Sequence, residues 1–356
     1  LQIANWSYAS RERSGKFAFF NFQFAFFNSL FLPLSILSKQ IWLAPILSDN
    51  RQRLIERCAR ALATEGPGSF LYLAASHPLL EVVTAGLLDG ESVRGVWGTL
   101  PVFLFRGFAR HLLATAVDDE TGLPLSPRIP IDRDELPLKR SLISRVMLRL
   151  LNQGKLKALG PLAHREGCVN TVAKLIGEIQ RAAKSPVEFA TIVEARARDF
   201  HQGGEAASAI PRQIDFDREI ALIYEAYQET LERFQLTEDD ADQLRALGVL
   251  RGELEGTRMS VPVSVPVSVP WLSDVKLLVL DGFFDFTPAQ GEMLRLLIPS
   301  IPDVIVNLNR DERNAEIFRP FDATIDQLNS IATFETTVEA GVMAVAGSLT
   351  PLRERL

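Results

Sequence analysis

Asp281 closes the run Leu277-Leu-Val-Leu280, four apolar residues that lead straight into the acid and then into Gly282. A continuous apolar run of this kind reads as a buried parallel strand. A carboxylate at the carboxyl end of such a strand sits where open α/β sheets place their ligands. Two readings fit that placement: an acid that holds a metal beside a bound phosphate, and a strand-end acid that caps the next turn. Asp285 offers a second acid four residues on, but no third ligand accompanies the pair, so a strand-end cap and a turn residue outweigh a paired-acid metal hydrolase. Neither His77 nor His111 reads as a metal ligand, and no metal site is expected in this chain.

An acid that holds phosphate-bound metal calls for a phosphate loop upstream. The candidate is Ile41-Trp-Leu-Ala-Pro-Ile-Leu-Ser-Asp-Asn-Arg-Gln-Arg53, an apolar strand and loop followed by Leu54, Ile55, Cys58, Ala61 and Leu62 at helical spacing. A working P-loop is G-x-x-x-x-G-K-[ST]: the glycines let backbone N–H groups approach phosphate, and the Lys reaches the β/γ oxygens. Laid on that pattern, Ala44 and Asp49 replace the two glycines, and Ser48 lies in the loop between them. Asn50 stands where the Lys belongs, and Arg51 where the Ser or Thr belongs. Asp49 repels a triphosphate, and Arg51 has no hydroxyl for Mg²⁺. Asp281 then takes the place of the Walker B acid, with Gly282 where helicases carry a second acid. The pattern is a nucleotide-binding fold whose nucleotide site has degenerated.

The elements around these residues follow one order. Phe70-Leu-Tyr-Leu-Ala-Ala75 reads as a second parallel strand ending at Ser76-His77-Pro78, with a helix from Leu79 to Leu88. Leu100-Pro-Val-Phe-Leu-Phe105 reads as a third strand, followed by a helix with Phe108, Ala109, Leu112 and Leu113. Beyond the prolines at 124–130 the pattern is helical to about Leu254. One helix is marked by Leu142, Val146, Leu150 and Leu151, and another by Val172, Leu175, Ile176 and Ile179. A third carries Ile220, Ile223, Tyr224, Tyr227 and Leu231, and its tyrosines share the apolar face, so they read as core. The sheet resumes at Leu277 and at Val304-Ile-Val-Asn-Leu308, and Thr287-Pro288 opens a helix between the two strands. The expected fold is therefore an α/β parallel sheet of RecA-like P-loop type interrupted by a long helical subdomain. The segments are 1–40 (a Phe-rich leader), 41–115 (first sheet part), 116–256 (helical insertion), 257–272 (linker), 273–335 (second sheet part) and 336–356 (tail).

With 356 residues and a formal net charge of −6, the chain carries no global nucleic-acid signature. Charge is uneven, however. Residues 132–184 hold 11 Lys/Arg against 5 Asp/Glu, and residues 215–255 hold 4 against 12. The first segment suits a phosphate backbone and the second does not, while a solvated helical face is the plainer reading of both. Cys58 and Cys168, each in a predicted helix, suit a reducing compartment and form neither a disulfide framework nor a metal cluster. The segment Phe17 to Leu37 is rich in Phe but interrupted by Asn21, Gln23, Asn28, Ser29 and Pro33, which argues against a membrane span. Leu1 rather than Met opens the chain, which is consistent with a fragment. In Ser260-Val-Pro-Val-Ser-Val-Pro-Val-Ser-Val-Pro270, proline at every fourth place excludes helix and central strand. That repeat reads as an extended linker, removable at little cost in stability.

The order sheet, helical insertion, sheet fits a superfamily 1 helicase motor domain (1A/1B). The chain resembles the amino-terminal, helicase-like part of the AddB family, whose members form one half of the two-subunit ATP-dependent helicase/deoxyribonuclease. The resemblance is carried by FLYLAASHPLLE (Phe70 to Glu81), FLFRGFARHLL (Phe103 to Leu113), IALIYEAYQETLERFQL (Ile220 to Leu236) and LLVLDGFFDFTPAQ (Leu277 to Gln290). It runs from about Ile41 to about Ala332. The last segment, with the Tyr-containing helix before it, is the most specific; the others support it by their order.

The resemblance implies a subunit that binds single-stranded and end-containing DNA beside an AddA-like helicase–nuclease partner in cytoplasmic double-strand-break repair and recombination. It also implies a poor or lost ATP site, in keeping with Asn50 and Arg51. The family's carboxyl-terminal PD-(D/E)XK nuclease domain, with its Mg²⁺ and iron–sulfur cluster, is implied only for a full-length member, so this segment is expected to hold no cofactor. Ser76 and His77 at a strand end, and Arg106 and Arg110 after the third strand, are the candidate DNA contacts. Helix capping and surface charge are the plainer readings of the same residues. Two other classes stand against this one: an active P-loop ATPase or helicase, and a membrane-anchored helical scaffold suggested by the leader alone.

Overall fold

A computed structural model describes residues 38–45, 48–89, 99–131, 138–202, 210–258, 261–310 and 315–338. Most of the Phe-rich leader and of the tail lies outside them. The chain begins with β1 (Lys39–Ala44), α1 (Asn50–Glu65), β2 (Phe70–Ala74), α2 (His77–Leu88), β3 (Val102–Phe103) and α3 (Phe105–Thr115). The middle contributes β4 (Val117–Asp118), β5 (Ile129–Pro130), α4 (Leu138–Asn152), α5 (Glu166–Arg181), α6 (Pro186–Gln202), α7 (Ile210–Arg233), β6 (Leu236–Thr237) and α8 (Asp239–Leu250). Then come β7 (Glu253–Arg258), β8 (Val261–Ser268), β9 (Leu277–Asp281), α9 (Pro288–Ser300), β10 (Asp303–Asn309), α10 (Ala315–Phe318), α11 (Pro320–Asn329) and β11 (Glu335–Val338).

Six strands form one parallel sheet in the order β11-β1-β10-β9-β2-β3. Strands β2 and β9 are buried at every position, as continuous apolar runs require when helices cover both faces. Alternation sorts the side chains. Ile41, Leu43, Leu71, Leu73, Leu278, Leu280, Val304 and Val306 face the layer built from α3, α8, α9 and α11. Trp42, Phe70, Tyr72, Leu277, Val279 and Ile305 face α1 and α2 through Leu54, Ile55, Cys58, Leu62, Val83 and Leu87. Helix α9 starts on a capping box: Thr287 Oγ1 accepts from the Gln290 N–H, and Gln290 Oε1 accepts from the Thr287 N–H.

The helical insertion has its own core, in which Ile143, Met147, Val172, Ile176, Ile223, Tyr224 and Tyr227 join α4, α5 and α7. Both tyrosines are fully buried, as their apolar face predicts. The acidic stretch is not simply a solvated face. Glu238 is 1% exposed and accepts from Gln180 Nε2 at 3.0 Å and Tyr227 OH at 3.1 Å, with Lys139 Nζ at 2.8 Å. Glu219, also buried, accepts the backbone N–H groups of Lys157, Ala158 and Leu159. These carboxylates tie the insertion together from inside, as buried charges must be paired.

Two expectations need correction. The third strand is only Val102–Phe103, and Phe105 already belongs to α3. Pro101 sits directly before it, its carbonyl accepting the Tyr72 N–H, so pairing is confined to two residues. The Ser/Val/Pro repeat is not a linker: Val261–Ser268 is β8, paired antiparallel along β7 and, at Val267 and Ser268, along β4. Proline is tolerated because its spacing of four is a multiple of the strand period of two. Val267 donates its N–H to Gly252 on the β7 side, whereas the Pro266 carbonyl points the other way and accepts from Asp119. Both prolines of β8, Pro262 and Pro266, therefore fall on the edge turned away from β7, where their missing N–H breaks no bond to that strand, and Pro270 lies beyond the strand. Val267 is buried with Ala116 and Val249.

Among the described residues, no helix is long and apolar enough to cross a membrane.

Candidate functional site

The loop between β1 and α1 lies at the carboxyl edge of the sheet, where the winding reverses. Helix α1 follows β1 onto one face, whereas α11 follows the neighbouring strand β10 onto the other. Such a switch point opens a crevice at the strand ends. Register then brings the polar residues together. Asp281 of β9 lies level with Asn307 of β10 and Ala74 of β2, and Asn307 lies level with Trp42 of β1. Neighbours in a parallel register share a face, so Asp281 and Asn307 project toward α1.

There Asp281 is fully enclosed, with no exposed surface. Its Oδ2 accepts from Tyr72 OH at 2.6 Å and from Arg51 Nε at 3.0 Å; its Oδ1 accepts from Asn307 Nδ2 at 2.7 Å. Burial of a carboxylate costs several kcal/mol unless opposite charge and donors replace water. One guanidinium and two neutral donors supply that replacement. Burial by itself lowers the Arg51 pKa, but the Asp281 hydrogen bond and charge outweigh it and leave the guanidinium above its usual value. Burial, together with the Asp281 charge and hydrogen bond, pushes the Tyr72 phenol well above its ordinary range, so the phenol is the permanent donor.

The other loop residues occupy the same corner. Ala44 is buried, and its carbonyl accepts the Arg310 N–H. Ser48 donates its N–H to Pro45, and Asp49 precedes α1 without a side-chain cap. Asn50 is fully buried; its Oδ1 lies 3.5 Å from Arg53 Nη1, and its Nδ2 has no partner among the described residues. Arg53 lies over the Trp42 ring, 5.0 Å from its centre. Gly282 has φ +78, and a Cβ there would come within 3.0 Å of Leu79 Cδ2. The left-handed turn and the packed leucine together account for glycine where a second acid was sought.

Magnesium does not fit these donors. Asp281 has a cation already in hydrogen-bond contact, and the described residues include no group of three or more His, Cys, Asp or Glu able to hold a metal. Three donors engage Asp281, two at Oδ2 and one at Oδ1, and the side chain has no exposed surface. The arrangement binds its own charges and holds the strand ends fixed.

The remaining candidates lie apart from this cluster. Ser76 and His77 are exposed at the start of α2; His77 Nδ1 meets Glu81 Oε1 at 3.2 Å across one helical turn. Arg106 lies 3.9 Å from Asp239, and Arg110 pairs with Asp239 and stands 3.8 Å from Asp242. Those contacts join α3 to α8, and the Arg106 side chain stays 54% exposed. Sequence reasoning did not single out Tyr72 or Asn307. The signal was present: each is a polar residue inside an otherwise apolar strand, which demands a buried partner.

The chain matches no protein-family model, and a comparison with curated proteins gives no match.

Proposed function

We propose that this chain is a helicase-like, DNA-binding, non-motor segment of an AddAB-type helicase–nuclease, acting in the cytoplasm in double-strand-break repair beside an AddA-like catalytic subunit. The observation that carries the reading is the ion pair between Arg51 and Asp281 at the carboxyl edge of the sheet. In a RecA-like P-loop core those two positions hold Mg²⁺ together, one through a hydroxyl and one through a carboxylate. Here the first position supplies the positive charge itself, so no ion is called for. The switch point beside β1 and the insertion between β3 and β9 support the same helicase-like reading. Mg²⁺ and an iron–sulfur cluster belong, on this reading, to the nuclease domain of the full-length protein.

Two measurements on the purified chain test it. Millimolar Mg²⁺–ATP should leave the melting temperature unchanged, because a ligand that binds only the folded state raises it. A fluorescent single-stranded oligonucleotide should bind at low salt and dissociate as salt rises. A saturable upward shift with ATP, lost in Asp281→Asn, would turn the reading toward an active ATPase. Absence of any oligonucleotide binding would remove the DNA role.

A further inference from the structure

Helix α4 reads LKRSLISRVMLRLLN: four cations and no acid. Lys139 is committed to the buried Glu238, and Arg140 lies 3.7 Å from Glu166 and 3.4 Å from Asn170 Oδ1. Arg145 and Arg149 are different. Both are exposed, and among the described residues no ion pair or hydrogen bond engages either guanidinium. They stand four residues apart, about 6 Å along the helix axis, and so project from one face as a row.

Grooves flank this row on both sides, and Arg145 lines each of them. The first, of about 520 Å³, runs between α4 and the start of α5 and adds the Ser141 and Ser144 side chains and His164. The second, of about 430 Å³, runs between α4 and the end of α7 and adds Arg149, Arg233 and Phe234. Phe234 is 57% exposed, and the Arg233 guanidinium lies 5.7 Å from its ring centre. Acids at the two grooves are Glu166 and Glu229, against Arg140, Arg145, Arg149 and Arg233. The balance on this face is positive although the chain as a whole carries −6.

We infer that the ridge of Arg145 and Arg149, with Arg233 and Phe234 beside it, is a binding surface for the phosphodiester backbone of single-stranded nucleic acid. The inference rests on the DNA-binding reading above and gives it a location away from the Arg51–Asp281 cluster. Unpaired guanidinium groups at helical spacing neutralise successive phosphates and release their counterions. An exposed phenylalanine at the rim offers a base a stacking face, which a duplex, its bases already stacked, does not use. An acidic peptide matches the charge but has no use for the ring.

The test is an anisotropy titration of the whole chain with a fluorescent oligothymidylate at about 50 and 200 mM salt. The triple variant Arg145→Ala, Arg149→Ala, Arg233→Ala should lose about tenfold or more in affinity at the lower salt, and its salt slope should fall by about 2. Phe234→Ala alone should weaken binding about fivefold or more with the slope unchanged. A control triple, Arg60→Ala, Arg251→Ala and Arg295→Ala, removes equal charge elsewhere and should bind as the parent does. Melting curves check that each variant folds; Arg→Gln replaces Arg→Ala where it does not. If the parent binds and the groove triple binds equally well, the surface is refuted while the DNA-binding reading stands. If the parent binds nothing, both fall. Equal affinity for polyglutamate of matching length, or equal losses in both triples, would show a general polyanion effect and overturn the inference.

Discussion

The Nε of Arg51 donates to Oδ2 of Asp281 across 3.0 Å, joining the start of α1 to the end of β9 over 230 residues of sequence. The guanidinium supplies the opposite charge that an enclosed carboxylate needs, and it does so from a side chain rather than from an ion in solution.

Arg51→Ala should therefore destabilise the fold by about 1–3 kcal/mol. That is less than the 3–5 kcal/mol typical of stranding a fully buried charge. Arg51 is 35% exposed, and Tyr72 and Asn307 still donate to the acid. Asp281→Asn should cost a similar amount, and the double variant should cost clearly less than the sum. Urea unfolding of the four proteins in a double-mutant cycle measures the coupling. Strict additivity would show that the pair contributes nothing.

A second acid directly after Asp281 should not be accommodated. Gly282→Glu forces a side chain into φ +78 and against Leu79, and the left-handed backbone alone costs about 1–2 kcal/mol. Expected outcomes are a lower urea midpoint and no ATP turnover. A variant as stable as the parent would mean that the turn relaxes freely.

The Ser/Val/Pro repeat predicts a contrast between neighbours. Pro266→Val adds an N–H on the edge away from β7 and should leave the melting temperature within about 2 °C, the effect of a few tenths of a kcal/mol. Val265→Pro places the missing donor on the β7 side, removes a ladder bond and should cost about 1–3 kcal/mol. Thermal melts of the two variants check this, and equal effects would show that β7 and β8 are not paired in solution. Removing a tetrad should likewise be costly rather than neutral, because Val267 anchors a buried cluster.

Acid should weaken the fold through His111. Its ring stacks on Phe103 at 4.9 Å and lies 5.0 Å from Trp271, and burial lowers its pKa. The unfolded chain, near the ordinary value of about 6.5, then binds the proton more readily than the folded one. Stability contributed by the neutral ring is full above about pH 6.5 and is lost as pH falls toward the lower folded value. Urea midpoints at about pH 7.5 and pH 5 should fall further for the parent than for His111→Phe. The opposite ranking would mean that attraction between the imidazolium and its two rings outweighs desolvation.

Much of the sheet was legible in the chain itself. The runs at Phe70 and Leu277 are too continuously apolar to face water on either side, and the Thr287-Pro288 start of α9 carries its cap in its own residues. The helical insertion showed its core stripe through Ile220, Ile223, Tyr224 and Tyr227, because helical spacing is a local property. Local spacing failed at β8. There the period of the prolines was visible, but which edge they face depends on the register with β7. Nor does local spacing show the partners of Arg106 and Arg110, since Asp239 and Asp242 lie more than a hundred residues on and reach them only through the packing of α3 against α8.

The sequence by itself determined that the loop between β1 and α1 does not carry the glycines and lysine of a P-loop and that Asp281 ends a buried strand, since both are matters of residue type in order. Only the tertiary structure decided what Asp281 does. Parallel register sets Asn307 beside it, the fold of β2 brings Tyr72 under it, and the start of α1 delivers Arg51 to the same oxygen. A buried charge is governed by the groups within a few ångströms of it, and those groups come from three other stretches of the chain.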